Sequence, residues 1–229
     1  MRRVTPAEPD PGPVTDRGGA TVRAAIEVLA RRGHAILGRA FEGQELESFT
    51  KYLSLLQRWQ KVHRLVGSVD PAWVVDNLFL DSLLFLRVLP PTARSVADVG
   101  SGAGFPGIPI KIVRPELEMA LIESRERRIS FLSTVVRELG LTGVRMLSGR
   151  AESLAGHFAG AFEAVLMRCA GDAGRLLAIA ERLVVPGGVI IVSGSPSSRS
   201  SALGELVEVR GIAEDRTRRF MVYRGRGQV

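Results

Sequence analysis

The chain has 229 residues, 45% of them hydrophobic, enough for one sizeable core and a small additional element. No apolar run reaches the ~18 residues a bilayer-crossing helix needs; Cys169 is alone, and His34, His63 and His157 are widely scattered. Membrane spans, internal disulfides and zinc clusters are thereby excluded, and a cytoplasmic, metal-free, monomeric protein is expected. The formal charge of +7 and pI near 10.6 favour polyanionic partners, nucleic acid first, although a solvated arginine-rich surface would give the same balance.

In chain order, residues 1–20 carry Pro6, Pro9, Pro11 and Pro13 among mixed charges and read as a disordered tail. Residues 21–91 form a helical region. Leu46, Phe49, Leu53, Leu56, Trp59 and Val62 recur at three- and four-residue steps, one apolar stripe of a long helix. A second apolar segment, Trp73 to Leu89, is preceded by Pro71 and stopped by Pro90-Pro91. On this pattern Trp59 belongs to the core rather than to a base-stacking surface.

Residues 92–229 have another texture. Ser95–Val99, Met119–Ile122, Val144–Leu147, Ala164–Met167 and Val189–Val192 read as strands, separated by helices over Pro106–Val113, Glu126–Leu139 and Ala173–Val184. Strand–helix alternation with continuously apolar strands predicts a mostly parallel sheet covered on both faces, a Rossmann-like α/β fold. Leu206–Ile212 and Arg218–Arg224 follow without room for a helix, which predicts a closing antiparallel hairpin; Gly194 to Ser201 is a serine-rich loop.

The informative segment is Asp98-Val-Gly-Ser-Gly-Ala-Gly-Phe-Pro-Gly107, which leaves a strand and opens a helix. Glycines there permit a sharp turn and close approach of backbone to a ligand. Glu123 ends the next strand, nineteen residues after Gly104, where a carboxylate can accept both hydrogen bonds of a ribose diol. Gly102, Gly104 and Gly107 also satisfy the dinucleotide pattern. Three features favour S-adenosylmethionine instead: Asp98 at the strand end, able to face a cationic ligand; Pro186-Gly187-Gly188 before the fifth strand; and the terminal hairpin.

The run Gly100-Ser-Gly-Ala-Gly-Phe-Pro-Gly-Ile-Pro-Ile-Lys-Ile-Val-Arg-Pro115 resembles the cofactor loop of the bacterial small-subunit rRNA guanine-N7 methyltransferases, also called glucose-inhibited division protein B. Leu80-Asp81-Ser82, Glu123-Ser124, Arg127-Arg128, Phe131-Leu132 and Arg150-Ala151-Glu152 agree with it, over about Trp59 to Cys169. The resemblance implies cofactor contacts at Gly100, Phe105, Ala151-Glu152 and Arg168, with Arg168 the catalytic-cleft residue, near the methionine end or the RNA. It also implies ribosomal RNA or the small ribosomal subunit as partner. Asp98, Gly102, Gly104 and Glu123 complete the expected cofactor site. Departures fall in the other half: Arg64-Leu65-Val66 where the family has Asn-Leu-Thr, Asn77 where it has His, and Ser193 where it has Lys. Another RNA, a small-molecule acceptor, or a non-catalytic RNA-binding role stay open on this count.

Guanine N7 has a lone pair and no proton, so its methylation needs positioning rather than a general base. No Asn/Asp-Pro-Pro-aromatic motif follows the fourth strand, and Cys169, with no proline before it, reads as a small buried hydrophobe. Arg125, Arg127 and Arg128, together with Arg216, Arg218, Arg219, Arg224 and Arg226, are the groups expected to meet phosphates.

Overall fold

A computed structural model describes residues 16–168, 173–193, 204–210 and 217–226. The chain is already helical at Asp16, inside the stretch expected as tail, and α1 (Asp16–Leu37) is followed by α2 (Gly43–Gln60). A capping box starts α2: the backbone N–H of Glu42 donates to Glu45 Oε2 at 2.8 Å, and Glu42 answers toward the first turn. Phe49, Leu53 and Leu56 are fully buried on the expected stripe, and Tyr52 joins them. Val62 is 72% exposed, because the helix stops at Gln60 and the stripe stops with it.

The second apolar segment is a composite. Asp70 caps α3 (Pro71–Val74) by accepting from Trp73 N–H at 2.9 Å; a π-helical stretch spans Val75–Leu80, then α4 (Asp81–Leu83) and a 3-10 turn, Leu84–Arg87. Asn77 and Ser82 side chains donate to the carbonyls of Trp73 and Leu78, absorbing backbone acceptors around the widened turn.

The sheet has seven strands in the order β3-β2-β1-β4-β5-β7-β6. They are β1 (Ser95–Val99), β2 (Glu118–Glu123), β3 (Val144–Ser148), β4 (Phe162–Arg168), β5 (Val184–Ser193), β6 (Glu205–Arg210) and β7 (Thr217–Arg224). The first five are parallel, and β7 lies antiparallel between β5 and β6, as the hairpin reading requires. Pro186-Gly187-Gly188 lies within β5 rather than before it: pairing with β4 jumps from Phe162–Val184 to Ala164–Val189, and Gly187 sits at φ +77°. The loop expected at 194–201 lies outside the described residues, as do Cys169, Ile212 and Arg216.

Alternation along the strands sorts the core into two layers. Val96, Leu121, Leu166, Ile191 and Phe220 face one side, against α1, α2, α5 (Gly107–Val113) and α6 (Glu126–Glu138). Ala97, Val99, Ile122, Val165 and Ile190 face the other, against α7 (Ala151–Leu154) and α8 (Ala173–Leu183). The N-terminal helices therefore share one continuous core with the sheet. Phe85 meets Phe220 of β7 at 4.8 Å, and Tyr52 stacks between Phe79 and Phe105, each at 5.4 Å. Trp59 is half-buried, edge-on to Phe131 at 5.5 Å, as the core reading expects.

Candidate functional site

The strand order reverses at β1, which has β2 on one side and β4 on the other, and a crevice opens beyond the carboxyl ends of these strands. Its wall is the glycine turn. Gly100 and Ser101 N–H donate to Ile122 O at 2.9 and 3.1 Å, and Gly104 N–H returns to Ser101 O at 2.7 Å. Gly100, Gly102 and Gly104 sit at φ +75°, +61° and +96°, where any side chain is strained. A Cβ at Gly100 would meet nothing within 4 Å, so the turn leaves its outer edge clear.

The turn is braced from behind. Tyr52 of α2 donates its hydroxyl to Ala103 O. Asp98 is fully buried, and its Oδ2 accepts from Gly107 N–H at 3.0 Å; burial pushes this carboxyl up to about 7, against the Gly107 and Ser101 hydrogen bonds that lower it. The expectation that Asp98 faces a ligand is thereby corrected. It lies on the same sheet face as Val96, toward α5, and pins the first turn of that helix. Gly104 is also behind the wall: a Cβ there would stand 2.7 Å from both Ile108 Cγ1 and the Tyr52 hydroxyl.

The crevice encloses about 900 Å³. Gly100, Gly102, Phe105 and Glu123 line it on one side. Ala151, Glu152 and Arg168 line it on the others. Glu123 is nearly buried at the tip of β2. Its Oε1 accepts from Ser124 and Arg125 N–H at 2.8 and 2.9 Å, and its Oε2 accepts from Gly102 N–H at 3.0 Å, with Arg128 Nη1 at 3.5 Å. The carboxylate thus ties the glycine turn to the next strand and presents its remaining acceptor capacity to the crevice. Gly149 N–H donates to Glu123 O at 3.0 Å, which sets Ala151 and Glu152 on the far wall.

At the other end, Arg168 lies with its guanidinium 5.9 Å from the Phe105 ring centroid. It donates to Asn77 O at 2.7 Å and pairs with Asp81 at 3.2 Å. Arg218 of β7 pairs with the same carboxylate at 3.2 Å and donates to Ser193 Oγ. Burial raises Asp81 against the pull of both arginines, and lowers Arg168 against the pull of Asp81. Sequence reasoning gave Asp81 no role and read Arg218 only as a surface phosphate contact. Arg219, read the same way, pairs with Glu208 at 2.9 Å.

Size and donors suit a nucleoside with a cationic side arm: an open backbone edge, an acidic strand tip, apolar Val99, Ile122 and Leu176 beside it, and polar groups at the far end.

Among the described residues no helix is long and apolar enough to cross a membrane. Residues 45–205 match the family model of rRNA small subunit methyltransferase G. The chain is 33% identical over 179 residues to "Ribosomal RNA small subunit methyltransferase G" of Desulfitobacterium hafniense, covering 77% of this chain and 74% of that one. It is 33% identical to the Geobacter sp. protein of the same name (80% and 83% covered). Against "Ribosomal RNA small subunit methyltransferase G 1" of Syntrophobacter fumaroxidans the identity is 37% (75% and 77% covered). In fold it is similar to cofactor-bound Rv0187 from MTB, with a TM-score of 0.56 at 16% identity over 80% of this chain and 91% of that one. TrmN from Thermus thermophilus gives 0.50 at 18% identity, over 62% and 48%. The chain belongs to the rRNA small subunit methyltransferase G family and is an S-adenosylmethionine-dependent methyltransferase with a Rossmann-like sheet.

Proposed function

We propose that this chain transfers the methyl group of S-adenosylmethionine to N7 of a guanine in small-subunit ribosomal RNA, acting as a cytoplasmic monomer. One observation carries the site: the glycine turn and Glu123 border an open crevice at the strand-order reversal, with arginines 125, 128, 150, 168 and 218 along its lining. A nucleic acid would meet that cationic lining first, and its affinity would fall with salt.

Bound there, the cofactor supplies a methyl group on a sulfonium that an acceptor lone pair can attack. Gly100 and Gly102 admit the nucleoside against bare backbone. Glu123 accepts from a ribose hydroxyl, with the long Arg128 contact the one that yields. Ala151 and Glu152 flank the adenine, and Phe105 and Arg168 bound the end where the acceptor enters. Asp98 and Gly104 serve the site from behind, by holding the turn in shape. Because guanine N7 bears no proton, these residues need only align the base and exclude water.

The test is methyl transfer to three acceptors in parallel: naked small-subunit rRNA, assembled small subunits, and a panel of small molecules. Label in one of the RNA-containing substrates, recovered as N7-methylguanosine, is expected. Label confined to small molecules would overturn the proposal.

A further inference from the structure

Asp81 does not itself line the crevice, yet it organises one end of it. It lies at the first residue of α4, directly after the π-helical stretch Val75–Leu80. From there its carboxylate pairs with Arg168, the last residue of β4, and with Arg218, the second residue of β7, both at 3.2 Å. The two arginines come from strands that β5 separates in the sheet, and their like charges repel; Arg218 lowers, and Asp81 raises, the pKa of Arg168. A shared, largely covered carboxylate is what lets both guanidinium groups stand side by side.

Two further contacts fix their directions. Arg168 Nη2 donates to the carbonyl of Asn77, within the π-helical stretch, at 2.7 Å. Arg218 Nη2 donates to Ser193 Oγ at the carboxyl end of β5. Arg168, Arg218 and Ser193 all line the crevice, at the end away from Glu123. The Nε and Nη2 atoms of both arginines are held by Asp81, Asn77 and Ser193, so two fixed guanidinium groups bound one end of the crevice, a cationic wall that suits a phosphate.

We propose that Asp81 is a positioning residue for methyl transfer: it aligns Arg168 and Arg218 so that together they receive a phosphate of the RNA acceptor beside the reacting base. The inference rests on the function proposed above and identifies which part of the acceptor this end of the crevice takes. The N-terminal helices are then part of the acceptor site as well as of the core.

Asp81→Asn keeps shape and removes the charge that aligns the arginines, so its signature is a split between binding and turnover. KM for small-subunit RNA should stay level or fall, since a negative charge has gone, while kcat drops about 10- to 100-fold as the phosphate is misplaced. Affinity for S-adenosylhomocysteine, read by calorimetry, should fall far less than kcat, because Arg168 is only one of the groups that border the cofactor. Asp81→Glu should recover much of the lost kcat. Full kcat in Asp81→Asn, or loss of cofactor affinity in step with kcat, or an Asp81→Glu no better than Asn, would each overturn the inference. Arg218→Lys provides a second line should Asp81→Asn fail to fold: it keeps the charge and loses the fork, and an undiminished kcat would equally overturn it. If the unmodified protein methylates no ribosomal RNA, the function itself is wrong; if it does and these variants match it, only the role of Asp81 is wrong.

Discussion

Removing the Glu123 carboxylate should weaken cofactor binding more than it weakens the fold. Three backbone N–H groups converge on this side chain at 2.8 to 3.0 Å, and Arg128 adds a contact at 3.5 Å. A carboxylate has about four acceptor sites, so a ribose hydroxyl competes with Arg128 and leaves the backbone donors in place. A hydrogen bond to a charged acceptor contributes about 1.5–3 kcal/mol, which corresponds to roughly 10- to 150-fold in the dissociation constant. Glu123→Ala should show that loss for S-adenosylhomocysteine by calorimetry, with a lowered Tm, because the Gly102, Ser124 and Arg125 donors lose their common acceptor. Glu123→Gln keeps one oxygen for Ser124 and Arg125 but turns an amide toward Gly102 N–H; it should lose comparable affinity with a smaller fall in Tm. Dissociation constants within twofold of the parent for both variants would refute the reasoning.

Three other perturbations test the surrounding parts. Gly102→Asp, at φ +61° and beside the Glu123 carboxylate, should abolish cofactor binding; a Tm still raised by S-adenosylhomocysteine would take the turn out of the site. Tyr52→Phe strips the buried Ala103 carbonyl of its donor and should cost about 1–3 kcal/mol of stability in urea titration; no change in midpoint would mean the brace is idle. Asp98 carries a pH dependence. Its folded pKa, about 7, lies above the ordinary 3.8, so the folded protein holds that proton more tightly. Its contribution is therefore complete below about pH 4 and is lost as pH rises through about 7, by about 4 kcal/mol in all. Asp98→Asn, with an amide oxygen left for Gly107 N–H, should flatten that decline. A variant with the parent's slope of stability against pH would show that Asp98 does not cause it.

Much of the fold is written in local pattern. Strands β1 to β4 appear as short apolar runs between helix-length spacers, and the absence of a spacer before Arg218 is what makes β7 return antiparallel. The turn and Glu123 were legible for the same reason, since both belong to one strand–turn–helix–strand unit. The placement of Asp98 was also within reach: on a strand with period two it must share a face with Val96, while Ala97 and Val99 share the other. Read that way, it points to α5 and not to the ligand.

The rest depends on tertiary contacts. Asp81 meets Arg168 and Arg218 across 87 and 137 residues of sequence, and no local pattern pairs them. The π-helical turn that brings Asn77 O to Arg168 leaves only a faint trace, the Asn and Ser interrupting an apolar segment. Ser193, which read as a basic residue lost from the crevice, accepts from Arg218, so a cation reaches this place from the neighbouring strand instead. Glycine spacing likewise could not say that Gly104 faces Tyr52 and Ile108 rather than solvent; that followed only once α2 was packed beneath the turn.

A crystal structure with S-adenosylhomocysteine bound tests the central claim most directly. The nucleoside should lie in the crevice with a ribose hydroxyl on Glu123, its base between the β1 turn and Ala151-Glu152, and its amino-acid arm toward Arg168. Ligand bound elsewhere, or a ribose that makes no contact with Glu123, would contradict it.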